Sequence, residues 1–210
     1  MGRQGARPRR HSVRPDETLG RRPRKGSAAI TAPANFWDWS VSAYAQPGVA
    51  RALLVLQDAH GLNVNLVLWC LWSAQGFIEP DTATLRRAFQ IAGQWEDAVV
   101  APLRQVRRRL KAGFDGAGVD QLREDVKALE LRAEREVQSM LEALAQKQLT
   151  PANGGDRSGR ARRSLASYAR TSGAARSAGF SISLLEDLIG LTLPTPGEPP
   201  DAHKGDDVNG

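Results

Sequence analysis

Thirteen residues, VNLVLWCLWSAQG between Asn63 and the turn after Gly76, constrain this chain more than any others. Wound as a helix, they send Val64, Leu66, Val67, Leu68, Trp69, Leu71 and Trp72 in every direction, leaving no face for water. A helix apolar all round has to be enclosed by other elements, so this segment predicts the centre of the fold. A strand is the competing local reading, but the length, the Asn63 cap and the closing glycine favour helix. The apolar run is broken by Asn65 and falls short of the roughly 18 residues that span a bilayer.

The flanking segments carry helical periodicity with start and stop signals. Asn35 caps a first helix holding Phe36, Trp37, Trp39, Val41 and Tyr44, and Gln46-Pro47-Gly48 ends it. A second helix runs to His60 on the stripe Val49, Leu53, Leu56, and Gly61 supplies the left-handed residue that closes it. Glu79-Pro80-Asp81 opens a fourth through Leu85, Phe89 and Ala92. Trp95, Val99, Leu103, Val106 and Leu110 mark the core-facing stripe of a fifth, which is kinked at Pro102 or starts there. After the turn 113–118 a long sixth helix is predicted from an Asp120 cap to Gln148, roughly 43 Å at 1.5 Å per residue. Its stripe is Leu122, Val126, Leu129, Ala133, Val137, Met140 and Leu144, with Glu124, Glu130, Arg132, Glu134, Arg135 and Glu136 on a solvated face. Weaker helices are expected at 160–170 and 182–191. The expected fold is therefore all-α, a single compact bundle of about six to eight helices over 34–192 around a buried central helix.

The charge belongs to one end. A net charge of +6 invites a nucleic-acid reading, but residues 1–33 hold nine Arg or Lys against two acids, 9 − 2 = +7. The remaining 20 basic and 21 acidic residues leave the body at 20 − 21 = −1. Residues 1–33 carry too little apolar surface to offset chain entropy and are expected to form a disordered basic extension. Residues 193–210, rich in proline and glycine and ending in acids, are expected to form a disordered tail. No apolar stretch follows the basic segment as a secretory signal requires, and one cysteine excludes an internal disulfide. A cytoplasmic location is the expectation.

No catalytic residue, metal site or cofactor is predicted. The chain contains no phosphate-binding GxxxxGK, no HExxH and no GxSxG. Two polar clusters remain as candidates. One is the corner between the second and third helices, where Asp58, His60, Asn63 and Asn65 precede Cys70 by up to three turns. A thiolate at Cys70 activated by His60 and Asp58 would make a nucleophile, but a cysteine inside an apolar helix is usually an inert small hydrophobe. The polar residues would then satisfy backbone groups at a tight corner. The other cluster is Arg104, Arg107, Arg108, Arg109 and Lys111, of which Arg104, Arg107 and Arg108 fall on or beside the face opposite the Leu103–Val106–Leu110 stripe. It could bind phosphate, but it also complements a helix C-terminus or pairs with Asp58 or Asp97. Five tryptophans could form a stacking platform for single strands; three of them lie on core stripes, which favours packing.

LQDAHGLNVNLVLWCLW (56–72) and PLRQVRRRLK (102–111), together with the preceding FWDWSVSAYAQPGVARALLV, resemble an uncharacterised family of small proteobacterial proteins. The resemblance extends over about residues 35–190 and implies an all-helical domain of unknown function, with no activity, substrate or cofactor to carry over. It directs attention to Gln57, Asp58, Gly61, Asn63, Asn65, Trp69, Cys70, Trp95, Arg104, Arg107 and Arg108.

The leading expectation is a protein that acts through protein–protein contacts, an unknown partner docking along the sixth helix; a homodimer through 120–148 is a variant of it. The first alternative is phosphate-backbone binding by the basic N-terminal arm with Arg104–Lys111. The second is a small-ligand binder or enzyme at the Asp58–Asn65 corner. No membrane association is expected.

Overall fold

The computed structural model describes residues 34–193; the expected disordered extension and most of the expected tail lie outside the described residues. Within them the chain forms eight α-helices: α1 (Phe36–Tyr44), α2 (Val49–His60), α3 (Val64–Gly76), α4 (Thr82–Trp95), α5 (Ala101–Gly113), α6 (Ala117–Gln148), α7 (Arg157–Ser172) and α8 (Ile182–Thr192). No strand forms among the described residues; one isolated backbone bridge joins Phe77 to Pro151. No described helix is long and apolar enough to cross a membrane.

α3 lies at the centre, as its composition requires. Every residue from Leu66 to Ala74 is buried, and α1, α2, α4, α6 and α7 all pack on it. Trp69 is fully enclosed and its indole N–H donates to the Leu141 carbonyl of α6 at 2.8 Å, while Trp72 donates to Ala34 O at 2.7 Å. An indole buries a large apolar body only when its one donor is satisfied, and both are. The Asn63 side chain caps α3 by accepting from Leu66 N, Asn35 and Asp81 cap α1 and α4, and Gly61 takes φ 66° to close α2. At the other end of α3 the Arg160 guanidinium of α7, largely buried, donates to Ala74 O at 2.9 Å and to Gly154 O at 2.8 Å. A cation on the last carbonyls of a helix both satisfies orphan acceptors and complements the dipole. Backbone bonds from Ile78 N to Thr150 O and Ala152 N to Gly76 O tie the same end together.

Three sequence expectations are corrected. The Asp120 cap proposed for α6 is replaced by Gly116, four residues earlier, because Gly116 adopts φ 126° and turns the chain directly into the helix. The α6 stripe is rotated: Val126, Glu130, Ala133, Val137, Leu141 and Ala145 are buried, whereas Leu122, Leu129 and Met140 are exposed. Glu130, assigned to the solvated face, thus points inward.

The third correction concerns α5. α4 continues into it through a π-helical turn, Glu96–Val100, and Pro102 sits in its first turn. Proline has no N–H to give and its ring crowds the carbonyl four residues back, so a widened turn there accommodates it. Across a π turn the residues sharing a face are i and i+5, so Trp95 is followed inward by Val100, then Arg104 and Arg107. Val106, expected on the core stripe, is 45% exposed; Leu103 and Leu110 are half-buried at its margins. In α4, similarly, Ala88 is buried and Phe89 is 43% exposed.

Candidate functional site

The rotated faces of α5 and α6 create the feature of most interest, a half-open cleft of about 640 Å³ between α1, α2 and the first turn of α3 on one side and the π turn, α5 and α6 on the other. That volume falls within the range of ligand-binding clefts, roughly 300–1,000 Å³.

One wall is charged. Arg104 Nε donates to Glu130 Oε1 at 3.0 Å, its Nη1 to Glu96 Oε1 at 2.8 Å, and its Nη2 lies 3.5 Å from Glu134 Oε1. Arg107 Nε donates to Glu130 Oε2 at 2.6 Å. Burial opposes ionisation of Glu130, but the hydrogen bonds from Arg107 and Arg104 prevail and hold its carboxyl below the ordinary value. Glu134 goes the other way. Burial raises it, the attraction of Arg104 lowers it, and the charges of Glu130 and Glu96 help raise it above the ordinary value. Arg108 also lines the cleft, is exposed, and lies within 4 Å of no described carboxylate. Three arginines against three glutamates balance the wall, and among the described residues Arg108 is the one whose charge is uncommitted.

The floor is amide. Gln138 Nε2 donates to Asn65 Oδ1 at 2.8 Å, and the Ser40 hydroxyl lies 2.8 Å from Gln138 Oε1. This chain stitches α1, α6 and α3 beneath the cleft, and Gln57 and Asn63 border it. The opposite lip is apolar and aromatic: Trp37, Val41, Tyr44 and Leu54, with Leu131 across the opening. Arg135 sits over the Trp37 ring, 5.6 Å from its centroid. Val41, Tyr44, Leu54 and Leu131 are 51%, 42%, 47% and 53% exposed, so the lip leaves apolar surface in water.

Of the residues singled out from the sequence, Asn63, Asn65, Arg104, Arg107 and Arg108 meet at this cleft. Asp58 and His60 do not. Asp58 is exposed and borders a separate shallow depression with Arg51, Leu54, Val55 and Ala59. His60 Nδ1 lies 2.7 Å from Ser177 Oγ, and its ring meets Phe180 edge-on at 5.3 Å, which docks the α7–α8 connection. Cys70 is fully buried and burial pushes its thiol far above the ordinary range, so it forms no thiolate with these partners. Arg104 and Arg107 pair with Glu96, Glu130 and Glu134 rather than with Asp58 or Asp97. Trp69, Trp72 and Trp95 each donate their indole N–H to a backbone carbonyl, so they pack rather than offer a stacking platform.

Sequence reasoning missed Trp37, Tyr44, Glu96, Glu134 and Gln138 as parts of one site. Glu130, Glu134 and Gln138 recur every four residues along α6, a spacing that puts them on one face and was readable, but only the burial of Glu130 and Gln138 distinguishes that face from a solvated edge.

No curated protein and no solved structure matches the chain. A family model described as "Protein of unknown function (DUF2390)" matches residues 35–141. That segment runs from α1 into α6 and contains every cleft-lining residue from Trp37 to Gln138, while α7 and α8 follow it. The chain belongs to this family of proteins of unknown function.

Proposed function

We propose that this is a binding protein of the cytoplasm that acts through contact with another protein, and that the cleft receives an extended segment of the partner. The observation that carries the reading is the pairing of an exposed apolar and aromatic lip with a charged wall holding one uncommitted arginine. Contiguous exposed apolar surface beside a cleft marks an interaction site. A small enclosed ligand would leave Val41, Leu54 and Leu131 in water, whereas a peptide lying along the opening covers them. Apolar or proline side chains of the segment meet Trp37 and Tyr44, and an acidic group meets Arg108, with Arg107 behind it. The buried face of α6 is taken by α1, α3, α4 and α5, so the cleft is a better docking place than the length of that rod.

Selection of a random dodecapeptide phage library against the full chain tests this. Enriched peptides should combine aromatic or proline residues with Asp or Glu, and bind at least tenfold more weakly to a Tyr44→Ser, Leu54→Ser double variant. No enrichment, or peptides indifferent to those two surface changes, would overturn the reading.

A further inference from the structure

α8 runs antiparallel to α2. Its start is docked at the C-terminal end of α2 through His60, Ser177 and Phe180, and at its far end Leu191 Cδ1 lies 3.4 Å from where a Cβ on Gly48 would stand. The last described residue, Leu193, therefore leaves the bundle beside the turn between α1 and α2. Tyr44 and Ala45, which begin that turn, are the near end of the cleft's apolar lip. The next residues in the sequence are PTPGEPPDAHKGDD, residues 194–207, with four acids against one lysine.

We propose that this proline-rich acidic segment is itself an occupant of the cleft, docking in cis across Tyr44 and Trp37 toward Arg108. The inference rests on the cleft being a peptide site, as proposed above. Three features support it. Pro196-Gly197-Glu198-Pro199 has the PxxP spacing, and proline-rich chain in the polyproline conformation suits aromatic-lined grooves because little entropy remains to be lost. Glu198 and Asp201 carry the sign for which Arg108 has no partner among the described residues. Reach also favours it: eight residues from Leu193 to Asp201 can extend about 25 Å at about 3.1 Å each, longer than the roughly 10 Å that seven residues of α1 put between Tyr44 and Trp37. A tethered segment competes with an outside one at an effective concentration in the millimolar range for a short linker. Docking in cis therefore sets a threshold that a partner segment has to exceed.

A nitroxide on Ala202→Cys in the full chain reads the contact; Cys70 is buried and takes no label in the folded state. With the label oxidised, the Trp37 indole N–H and the Val41 and Tyr44 amide signals should lose more than half their intensity relative to the reduced sample, independent of protein concentration. Arg108→Glu should restore at least half of the lost intensity. Unchanged signals at Trp37 overturn the proposal, as does broadening confined to another surface or broadening that grows with concentration and so arises between molecules. The two readings fail separately. Peptide selection without broadening removes the tail alone; broadening without selection keeps the tail, whose occupancy holds back outside peptides; the absence of both removes the cleft as a peptide site.

Discussion

Glu130 and Glu134 stand one turn apart on α6 and both reach Arg104, yet neutralising them should move stability in opposite directions. The Glu130 side chain is 10% exposed and accepts from both Arg104 and Arg107. Its folded carboxyl titrates below the ordinary glutamate value of 4.5, so its stabilisation is complete above that value. It is lost as pH falls through the lower folded value. Glu134 titrates above the ordinary value, so its contribution is complete at low pH and is lost as pH rises through the folded value. At neutral pH the folded state is therefore carrying a carboxylate it would sooner have protonated.

Glu130→Gln removes one charge-assisted hydrogen bond and turns an amide N–H2 toward a guanidinium that can only donate. A lost charged hydrogen bond with a half-buried orphan costs about 2–4 kcal/mol. At about 2–4 °C per kcal/mol for a chain of this size, Tm should fall by roughly 4–16 °C. Glu134→Gln should leave Tm unchanged or raise it by a few degrees. Thermal melts followed by far-ultraviolet circular dichroism at neutral pH would compare the two. The Glu130→Gln deficit should shrink as pH is lowered through 4.5 and below. Equal losses in both variants, or a Glu130→Gln deficit that persists undiminished in acid, would refute the assignment of opposite roles.

Two further outcomes follow from the core. Trp69→Ala should cost about 3–5 kcal/mol in urea unfolding, and Trp69→Phe about 1–3 kcal/mol, because the smaller ring leaves a void and Leu141 O, which keeps its helical donor, loses the indole bond; a Trp69→Phe protein as stable as the parent would contradict both. Cys70 should react with an aromatic disulfide at neutral pH only as fast as the protein opens, and at once in guanidinium; rapid labelling of the folded chain would contradict its enclosure.

The all-α class, the enclosed α3 and the caps at Asn35, Asn63 and Gly61 were legible because each depends on residues within a turn or two of one another. The cleft was legible only in part. Asn63, Asn65 and the arginines stood out by type, but what makes them a site is Glu130, whose partner Arg104 is 26 positions away, and Gln138, which meets Asn65 across 73. A buried glutamate and a solvated one look alike in a helical repeat until the arginines that satisfy it are placed. The phase of α5 was hidden for a different reason: a single widened turn shifts every later residue by one position, and Pro102 is its only local sign. Asp58 and His60 are neighbours of Asn63 in sequence, but the left-handed Gly61 between them turns the chain, and they end on separate surfaces.

Arg160 carries a consequence for the family as a whole. It belongs to α7, beyond the matched segment, yet it closes the last turn of α3, against which α7 packs more extensively than any other described helix. Tyr168 of the same helix accepts from Asn63 N at the opposite end. A relative comprising the matched segment without an α7 would expose a flank of its most hydrophobic rod from end to end. In this chain, therefore, the stretch after residue 141 completes the cover that the matched segment leaves open over its own core.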